Sequence, residues 1–326
     1  MTAGASRTGV KVLYIVAGTR SGSTLLDRLL GSMDGYFSSG ELRYLWERGL
    51  IEGRRCGCGS HVSECPVWSK VLQVDLGDGP VTTRMPADVV AMQRATLRTR
   101  HTWRVLRARR EELTGTMLGR TAEIAERLYR AVAAVTGTRV VVDSSKLPSD
   151  GALLRLMPRI DPYVVHLVRD PRAVAFSWQR RKTEHDRQTA AEMPRWSVTS
   201  TGINWLAVNA ASEALLAHMG KGRRLRVRYE DFVQRPREVV ERIAAMVGEP
   251  KAELPFTGMH TALIAPNHTV SGNPDRFTSG PVTLRSDDEW THALAPAGRL
   301  ITTGLALPLL PRYRYPVRSG RSARPA

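Results

Sequence analysis

The chain has 326 residues, 42% of them apolar and 24% charged, which suits a sizeable buried core and excludes a disordered polymer. Lys and Arg number 48 against 31 Asp and Glu, a formal net charge of +17 that favours anionic partners (nucleotides, nucleic acid, acidic glycans or anionic lipid) without choosing among them. Three cysteines in so long a chain exclude a disulfide scaffold, and the longest apolar runs fall short of the roughly 18 residues that a membrane span needs.

Residues 1–9 are small and polar and read as a frayed tail. Val10 to Ala17 is a strand by its β-branched run. It is too short for a secretory leader and carries Lys11, so the expected location is cytoplasmic. The loop Gly18 to Ser23 follows, then an apolar-periodic helix from about Thr24 to Met33 and a short strand near Tyr36–Ser39. Residues 52–80, rich in Gly and Cys, read as irregular, and 86–135 as helical; together they form an insertion, about 52–135. Arg139 to Val142 is a strand, followed by Asp143-Ser144-Ser145-Lys146 and a helix with Pro148 near its start. Tyr163 to Val168 is another strand, and Asp170-Pro171 opens a helix by its cap and first-turn proline. Leu225 to Arg228 is a strand and Pro236 to Val247 a helix stopped by Gly248. Leu300 to Leu310 reads as a packed helix end, and the Arg- and Pro-rich chain from Pro311 as extended, with 316–326 a basic disordered tail. Strands alternating with helices predict an α/β fold, three layers around a central parallel sheet, in one domain over 10–315. Ligands of such sheets bind at the carboxyl ends of the strands.

Two segments at those ends have anion-binding chemistry. In Val16-Ala17-Gly18-Thr19-Arg20-Ser21-Gly22-Ser23-Thr24, glycines let backbone N–H groups turn toward an oxyanion and the following helix N-terminus adds partial positive charge. Ser21, Ser23 and Thr24 add hydroxyls and Arg20 a fixed cation. Ser23 stands where the nucleotide-kinase loop has its lysine, and Ala17 where that loop has its first glycine. In the second segment, Val164 to Trp178, Ser177 lies about two helical turns beyond the cap Asp170, so it returns to the face from which Arg169 leaves the strand. An arginine and a hydroxyl suit a phosphate.

Together the two motifs resemble the sulfotransferase family, the first its 5'-phosphosulfate loop and the second its 3'-phosphate motif. Arg228-Tyr229-Glu230-Asp231-Phe232 is similar to the family's Tyr-Glu-Asp strand end, and Asn267 to Phe277, with Gly272-Asn273-Pro274-Asp275-Arg276-Phe277 at its end, resembles the late Gly-Asn-Pro-x-Arg-Phe loop of bacterial members. The resemblance runs in order over roughly 10–315, with nothing recognisable in 66–135. It implies a P-loop-type fold and the donor 3'-phosphoadenosine 5'-phosphosulfate, with no metal required for transfer. Arg20, Ser21, Gly22, Ser23 and Thr24 would hold the 5'-phosphosulfate, Arg169 and Ser177 the 3'-phosphate, Tyr229 would lie near the adenine, and Arg276 would close over the 3'-phosphate. The cytosolic branch has Lys in the first loop; Arg20 here matches the tyrosylprotein branch. No His matches the cytosolic branch's base. Ser39-Gly40-Glu41 instead resembles the Gly-Glu segment of the tyrosylprotein branch, which makes Glu41 the implied base, provided burial raises its pKa toward neutrality.

Other features stay open at this level. Lys146 points to donor or acceptor, or pairs with Asp143 or Asp150. Cys56, Cys58, His61 and Cys65 read as a zinc site, a local disulfide or free thiols in a turn. The Arg-rich stretch 94–110 is a solvated helical face or a surface for anionic lipid, glycan or nucleic acid; no nucleic-acid module accompanies it, so no nucleic-acid partner is expected, and peripheral contact with an anionic membrane stays open beside the favoured solvated face. The acceptor pocket is expected from residues 42–135 and 182–210, including Trp46, Trp196 and Trp205 unless these are core. The rival readings are a P-loop ATP-dependent phosphoryl transferase with Asp143 on its metal, and a non-catalytic nucleotide- or polyanion-binding protein.

Overall fold

The structure is a computed structural model and describes residues 9–76, 84–180, 183–184, 186, 191–192 and 195–317. The tails expected at 1–9 and 316–326 lie almost wholly outside the described residues. In chain order the elements are β1 (Val10–Ala17), α1 (Ser23–Gly31), β2 (Tyr36–Ser38), a 3-10 turn (Leu42–Tyr44) running into a π-helical segment (Leu45–Ile51), α2 (Trp68–Leu76), α3 (Arg84–Thr96), α4 (Thr102–Arg107) and α5 (Met117–Thr136). Then come β3 (Val140–Lys146), α6 (Pro148–Leu154), β4 (Ile160–Val168), α7 (Pro171–Gln179), the short pair β5 (Thr183–Glu184) and β6 (Ala191–Glu192), and α8 (Val198–Ala217). The last part holds β7 (Arg224–Arg228), α9 (Tyr229–Gln234), α10 (Pro236–Val247), β8 (Thr261–Ile264), β9 (Gly280–Thr283), α11 (Trp290–Ala293) and α12 (Pro296–Ala306).

Five strands form one parallel sheet in the order β2-β3-β1-β4-β7, with β1 in the middle. Alternation along β1 explains the three layers. Val12, Tyr14 and Val16 point into one apolar cluster, with α2 to α6 and α8, while Leu13, Ile15 and Ala17 point into the other, with α1, α9 and α10. A strand buried on both faces has to be apolar throughout, which is why Val10–Ala17 reads as a continuous run. A third cluster, built on Val168, Trp178, Trp205, Tyr313 and Tyr315, lies against the end of β4.

Local signals account for the helix ends. Asp170 accepts from the Arg172 N–H at the start of α7, Thr116 from Gly119 at α5, and Ser197 from Ser200 at α8. Gly137 and Gly248 close α5 and α10 in the left-handed conformation. Three sequence readings need correction. Residues 52–80 are not uniformly irregular: Trp68 to Leu76 is a helix whose Trp68 and Val71 enter the core. The chain from Pro311 is not extended tail: Tyr313 and Tyr315 are buried, and the Tyr315 hydroxyl donates to Glu230 at 2.7 Å. The 300–310 stretch packs through Ala306 and Leu310, but Leu300 is 75% exposed. Among the described residues no helix is long and apolar enough to cross a membrane.

Two glycines test the packing of α1 on β2. A Cβ on Gly31 would sit 2.3 Å from the Ser38 Cβ and 3.0 Å from its backbone nitrogen, whereas one on Gly304 in α12 meets nothing within 4 Å. Gly31→Ala is expected to lose about 1–3 kcal/mol by overpacking. Gly304→Ala is expected to gain about 0.5–1 kcal/mol by restricting the unfolded chain and favouring helix. Urea midpoints of the two variants read this directly; equal shifts would reject the close contact of α1 with β2.

Candidate active site

The carboxyl ends of the parallel strands open on a cleft of about 600 Å³. Its walls carry six cationic side chains, Arg20, Arg28, Arg48, Lys146, Arg169 and Arg180, against three carboxylates, Glu41, Asp275 and Asp287. The excess suits an anionic ligand.

The loop after β1 forms the floor. Gly22 caps α1 at φ 85, and a Cβ there would stand 2.5 Å from the Tyr229 ring, so both the turn and the close approach require glycine. The first N–H groups of α1 have no partner within the helix and face this end. Thr24 Oγ1 accepts from the Asn273 N–H at 3.3 Å, and Gly22, Ser23 and Thr24 all line the cleft. Ser21 is buried and is not among the lining residues. Arg20 has φ 62, a conformation that costs a non-glycine residue about 1 kcal/mol and turns its side chain onto the Trp178 ring at 4.8 Å.

Arg169 ties the second motif to the first. One guanidinium nitrogen donates to the Arg20 carbonyl at 3.0 Å and another to Asp287 Oδ2 at 2.9 Å, while the group stacks on Tyr229 at 4.5 Å. Ser177 lines the same cleft from α7, and the Trp178 indole N–H donates to Thr19 at 3.2 Å. Tyr229 lines the cleft between the Arg169 guanidinium and Gly22.

Glu41 stands beyond β2, where Gly40 at φ 70 lets the Thr269–Ser271 backbone come close. Its carboxylate accepts from Lys146 Nζ, and its other oxygen is 3.6 Å from Arg48. Arg48 lies on the π-helical segment, stacked over Tyr44 at 3.9 Å. Burial pushes the Glu41 carboxyl up, but Lys146 and Arg48 outweigh it, so its pKa lies below the ordinary carboxylate value. The sequence expectation of a pKa raised by burial is therefore corrected: the cations win. Lys146, at φ 74 where the β1–β3 register shifts, pairs with Glu41 rather than with Asp143 or Asp150; Asp150 is taken by Arg43 at 2.7 Å.

Arg276 also departs from expectation. It is fully buried outside the cleft, donating to the Thr269 carbonyl at 2.7 Å, the Arg55 carbonyl at 2.6 Å and Asp186 at 3.1 Å. Arg28 does line the cleft. It is buried, its Nη1 donates to the Asp275 carbonyl at 2.7 Å, and its Nε and Nη2 have no hydrogen-bond partner. Burial lowers its pKa. The signal for Arg28 was present: it lies one helical turn beyond Thr24 on the same face of α1. Arg48, Arg180 and Asp287 had no such signal.

Trp46 and Trp205 are core, the latter donating to the Arg169 carbonyl at 2.9 Å, and Trp196 stacks on Trp178 at 4.7 Å. The 94–110 stretch is broken into the end of α3, a 3-10 turn and α4, and Arg94, Arg98, Arg104 and Arg110 all bond protein groups. Asp143, the metal ligand of the kinase reading, is buried outside the cleft; it accepts from the Tyr129 hydroxyl at 2.5 Å and from Ser145.

A central parallel sheet with a helix-opening loop beyond its middle strand, facing a cation-rich cleft, defines an α/β protein of the P-loop type. Within that class the chain belongs to the sulfotransferase family, whose sequence model matches residues 13–253. Among solved structures it is similar to the sulfotransferase domain from the curacin biosynthetic pathway, with 16% identity over 94% of this chain and 99% of that chain and a TM-score of 0.51, which is a likeness of fold. Similar too are the sulfotransferase domain from the Synechococcus PCC 7002 olefin synthase (20% identity, 95% and 96% covered, TM-score 0.46) and a sulfotransferase from Alicyclobacillus acidocaldarius (15%, 93% and 96%, TM-score 0.42). No curated protein gives a significant match.

Removing the Lys146 charge tests the balance at Glu41. In Lys146→Met burial is less opposed, so the Glu41 carboxyl should titrate higher than in the wild type, as read by side-chain carbon NMR. The stability sign follows. With its pKa lowered by folding, Glu41 stabilises the wild type above the ordinary carboxylate range, and this is lost as pH falls through the folded pKa. An unchanged titration in the variant would reject the pairing.

Proposed function

We propose that the protein transfers a sulfuryl group from 3'-phosphoadenosine 5'-phosphosulfate to a hydroxyl or amine, in a reaction that requires no metal. The observation that carries this reading is a single cleft lined by Arg20, Arg169 and the Lys146–Glu41 pair. The N–H groups of Gly22, Ser23 and Thr24, with their hydroxyls and Arg20, bind the 5'-phosphosulfate. Arg169 and Ser177 bind the 3'-phosphate, and Tyr229 packs by the adenine. Arg28, which lines the cleft with a buried Nε and Nη2 that have no hydrogen-bond partner, adds a cation there in place of Arg276.

The acceptor oxygen or nitrogen attacks sulfur opposite the bridging oxygen. The new bond to sulfur forms as the bridging S–O bond breaks, the acceptor proton passes to Glu41, and adenosine 3',5'-bisphosphate leaves. Arg20 and the loop N–H groups stabilise the charge that builds on its 5'-phosphate. Arg20 acts by charge alone, since a guanidinium with pKa above about 12 does not donate its proton. Glu41 is ionised at neutral pH and needs no activation; Lys146 orients it and has to yield as the carboxylate takes the proton. Asp287 pairs with Arg169 at 2.9 Å, so a phosphate binding there displaces a carboxylate.

Calorimetric titration with adenosine 3',5'-bisphosphate, run against magnesium-ATP, tests the donor class. Metal-independent binding of the bisphosphate is expected. Arg169→Ala should weaken it about 10- to 150-fold, the scale of lost charge-assisted hydrogen bonds. Asp287→Asn should tighten it about two- to fivefold, the scale of one partly exposed ion pair. A preference for magnesium-ATP would sink the reading.

Kinetics with an acceptor test the roles. Arg20→Ala should lower kcat about 10²- to 10³-fold with modest change in KM. Glu41→Gln should lower it about 10²- to 10⁴-fold. The acid limb of the wild-type rate should fall below the ordinary carboxylate pKa of about 4.3 and move up in Lys146→Met. A Glu41→Gln enzyme with full turnover would remove Glu41 as base.

A further inference from the structure

We propose that Cys56, Cys58, Cys65 and His268 bind one zinc ion, which fastens the cysteine loop of the insertion to the late loop that walls the cleft. The Nδ1 and Sγ atoms of these four residues all lie within 4.8 Å of one another. The cysteines are free thiols. Cys58 Sγ is 3.7 Å from Cys65 Sγ, far beyond a disulfide bond of about 2.05 Å. Tetrahedral zinc, with Zn–S near 2.3 Å and Zn–N near 2.05 Å, requires S···S separations of about 3.8 Å and S···N separations of about 3.6 Å. His268 Nδ1 lies 3.2 Å from Cys65 Sγ and 3.9 Å from Cys56 Sγ, on either side of that value. Four protein ligands close the coordination sphere, which marks a structural ion rather than a catalytic one.

The surroundings fit a metal with three thiolates. Such a centre carries a net charge of −1, and two ligands, Cys56 and Cys65, are buried. The nearby cation is Arg276, whose guanidinium donates to the carbonyls of Arg55 and Thr269, each next to a ligand. Arg276, which also pairs with Asp186 at 3.1 Å, thus holds both ligand-bearing loops rather than the cleft. Backbone N–H groups of Val67 and Trp68 point at Cys65 sulfur, and the Trp68 indole donates to the His268 carbonyl at 2.6 Å, fixing two ligands from behind. His61, the ligand that local spacing suggests, instead turns its Nδ1 to the Gly53 carbonyl at 2.7 Å.

The two loops are packed to close tolerance. A Cβ on Gly57 would meet Asn267 Oδ1 at 2.0 Å, and the Gly57 N–H donates to the Thr269 carbonyl at 2.9 Å. Beyond His268 the same loop accepts from the Glu41 N–H at Ser271 and lines the cleft with Gly272 and Asn273. The ion thus braces the wall behind Glu41 without touching the reacting groups.

The test begins with the wild-type chain purified without chelator. Elemental analysis should find about one zinc per chain. The stripped protein titrated with cobalt(II) should develop thiolate charge-transfer and tetrahedral ligand-field bands that zinc bleaches. His268→Ala should lose the metal on dialysis against chelator while His61→Ala keeps it. Alkylation should spare the cysteines of the zinc-loaded wild type, and stripping should open residues 53–65 and 265–273 to limited proteolysis. These two readouts need no variant to fold. An octahedral cobalt spectrum, a Cys58–Cys65 disulfide by mass spectrometry, or equal alkylation with and without chelator would overturn the proposal. Loss of metal from His61→Ala with retention in His268→Ala would overturn the ligand set.

Discussion

Parallel pairing is the constraint on which the site depends. Because β1, β2, β3, β4 and β7 all run the same way, their carboxyl ends share one edge, and Arg20, Glu41, Lys146, Arg169 and Tyr229 each stand at such an end. Parallel neighbours cannot be joined by tight hairpins, so helical crossovers cover both faces and leave this edge open. The backbone there is unusual: Arg20 and Lys146 are left-handed without being glycine, and Gly22 and Gly40 supply the same geometry at lower cost. That conformation turns short loops back over the sheet edge and crowds the cations into one cleft.

Crowding them has an electrostatic cost that the fold offsets with carboxylates. Glu41 lies between Lys146 and Arg48, Asp287 between Arg169 and Arg180, and the Asp275 carbonyl accepts from Arg28. These partners offset part of the repulsion among the like charges. The net charge of +17 is thus not spread evenly over a solvated surface; part of it is gathered at the strand ends and locally balanced.

Part of the wall comes from a late segment that reaches the loop beyond β2. Residues 267–273 bond Ser39, Glu41, Arg48 and Thr24, and they bond the cysteine loop as well. Arg276 belongs to this architectural joint. Its neighbours Gly272 and Asn273 reach the cleft, while its own side chain turns the other way.

By itself the sequence determined the parallel α/β class, the five sheet strands within a few residues, the capped helices α7 and α10, and the two strand–loop–helix segments at 16–24 and 164–178. These rest on periods of two and 3.6 and on caps that act within one or two turns, so short windows contain the whole signal. Only the tertiary structure decided the partners. Glu41 meets Lys146 across 105 residues, Cys65 meets His268 across 203 while the adjacent His61 turns away, and Arg28 rather than Arg276 faces the cleft. Spacing along a chain fixes which residues share a strand end or a helix face; which distant residue arrives opposite them is settled by packing, where burial and competing charges act together and even the direction of Glu41's pKa is decided.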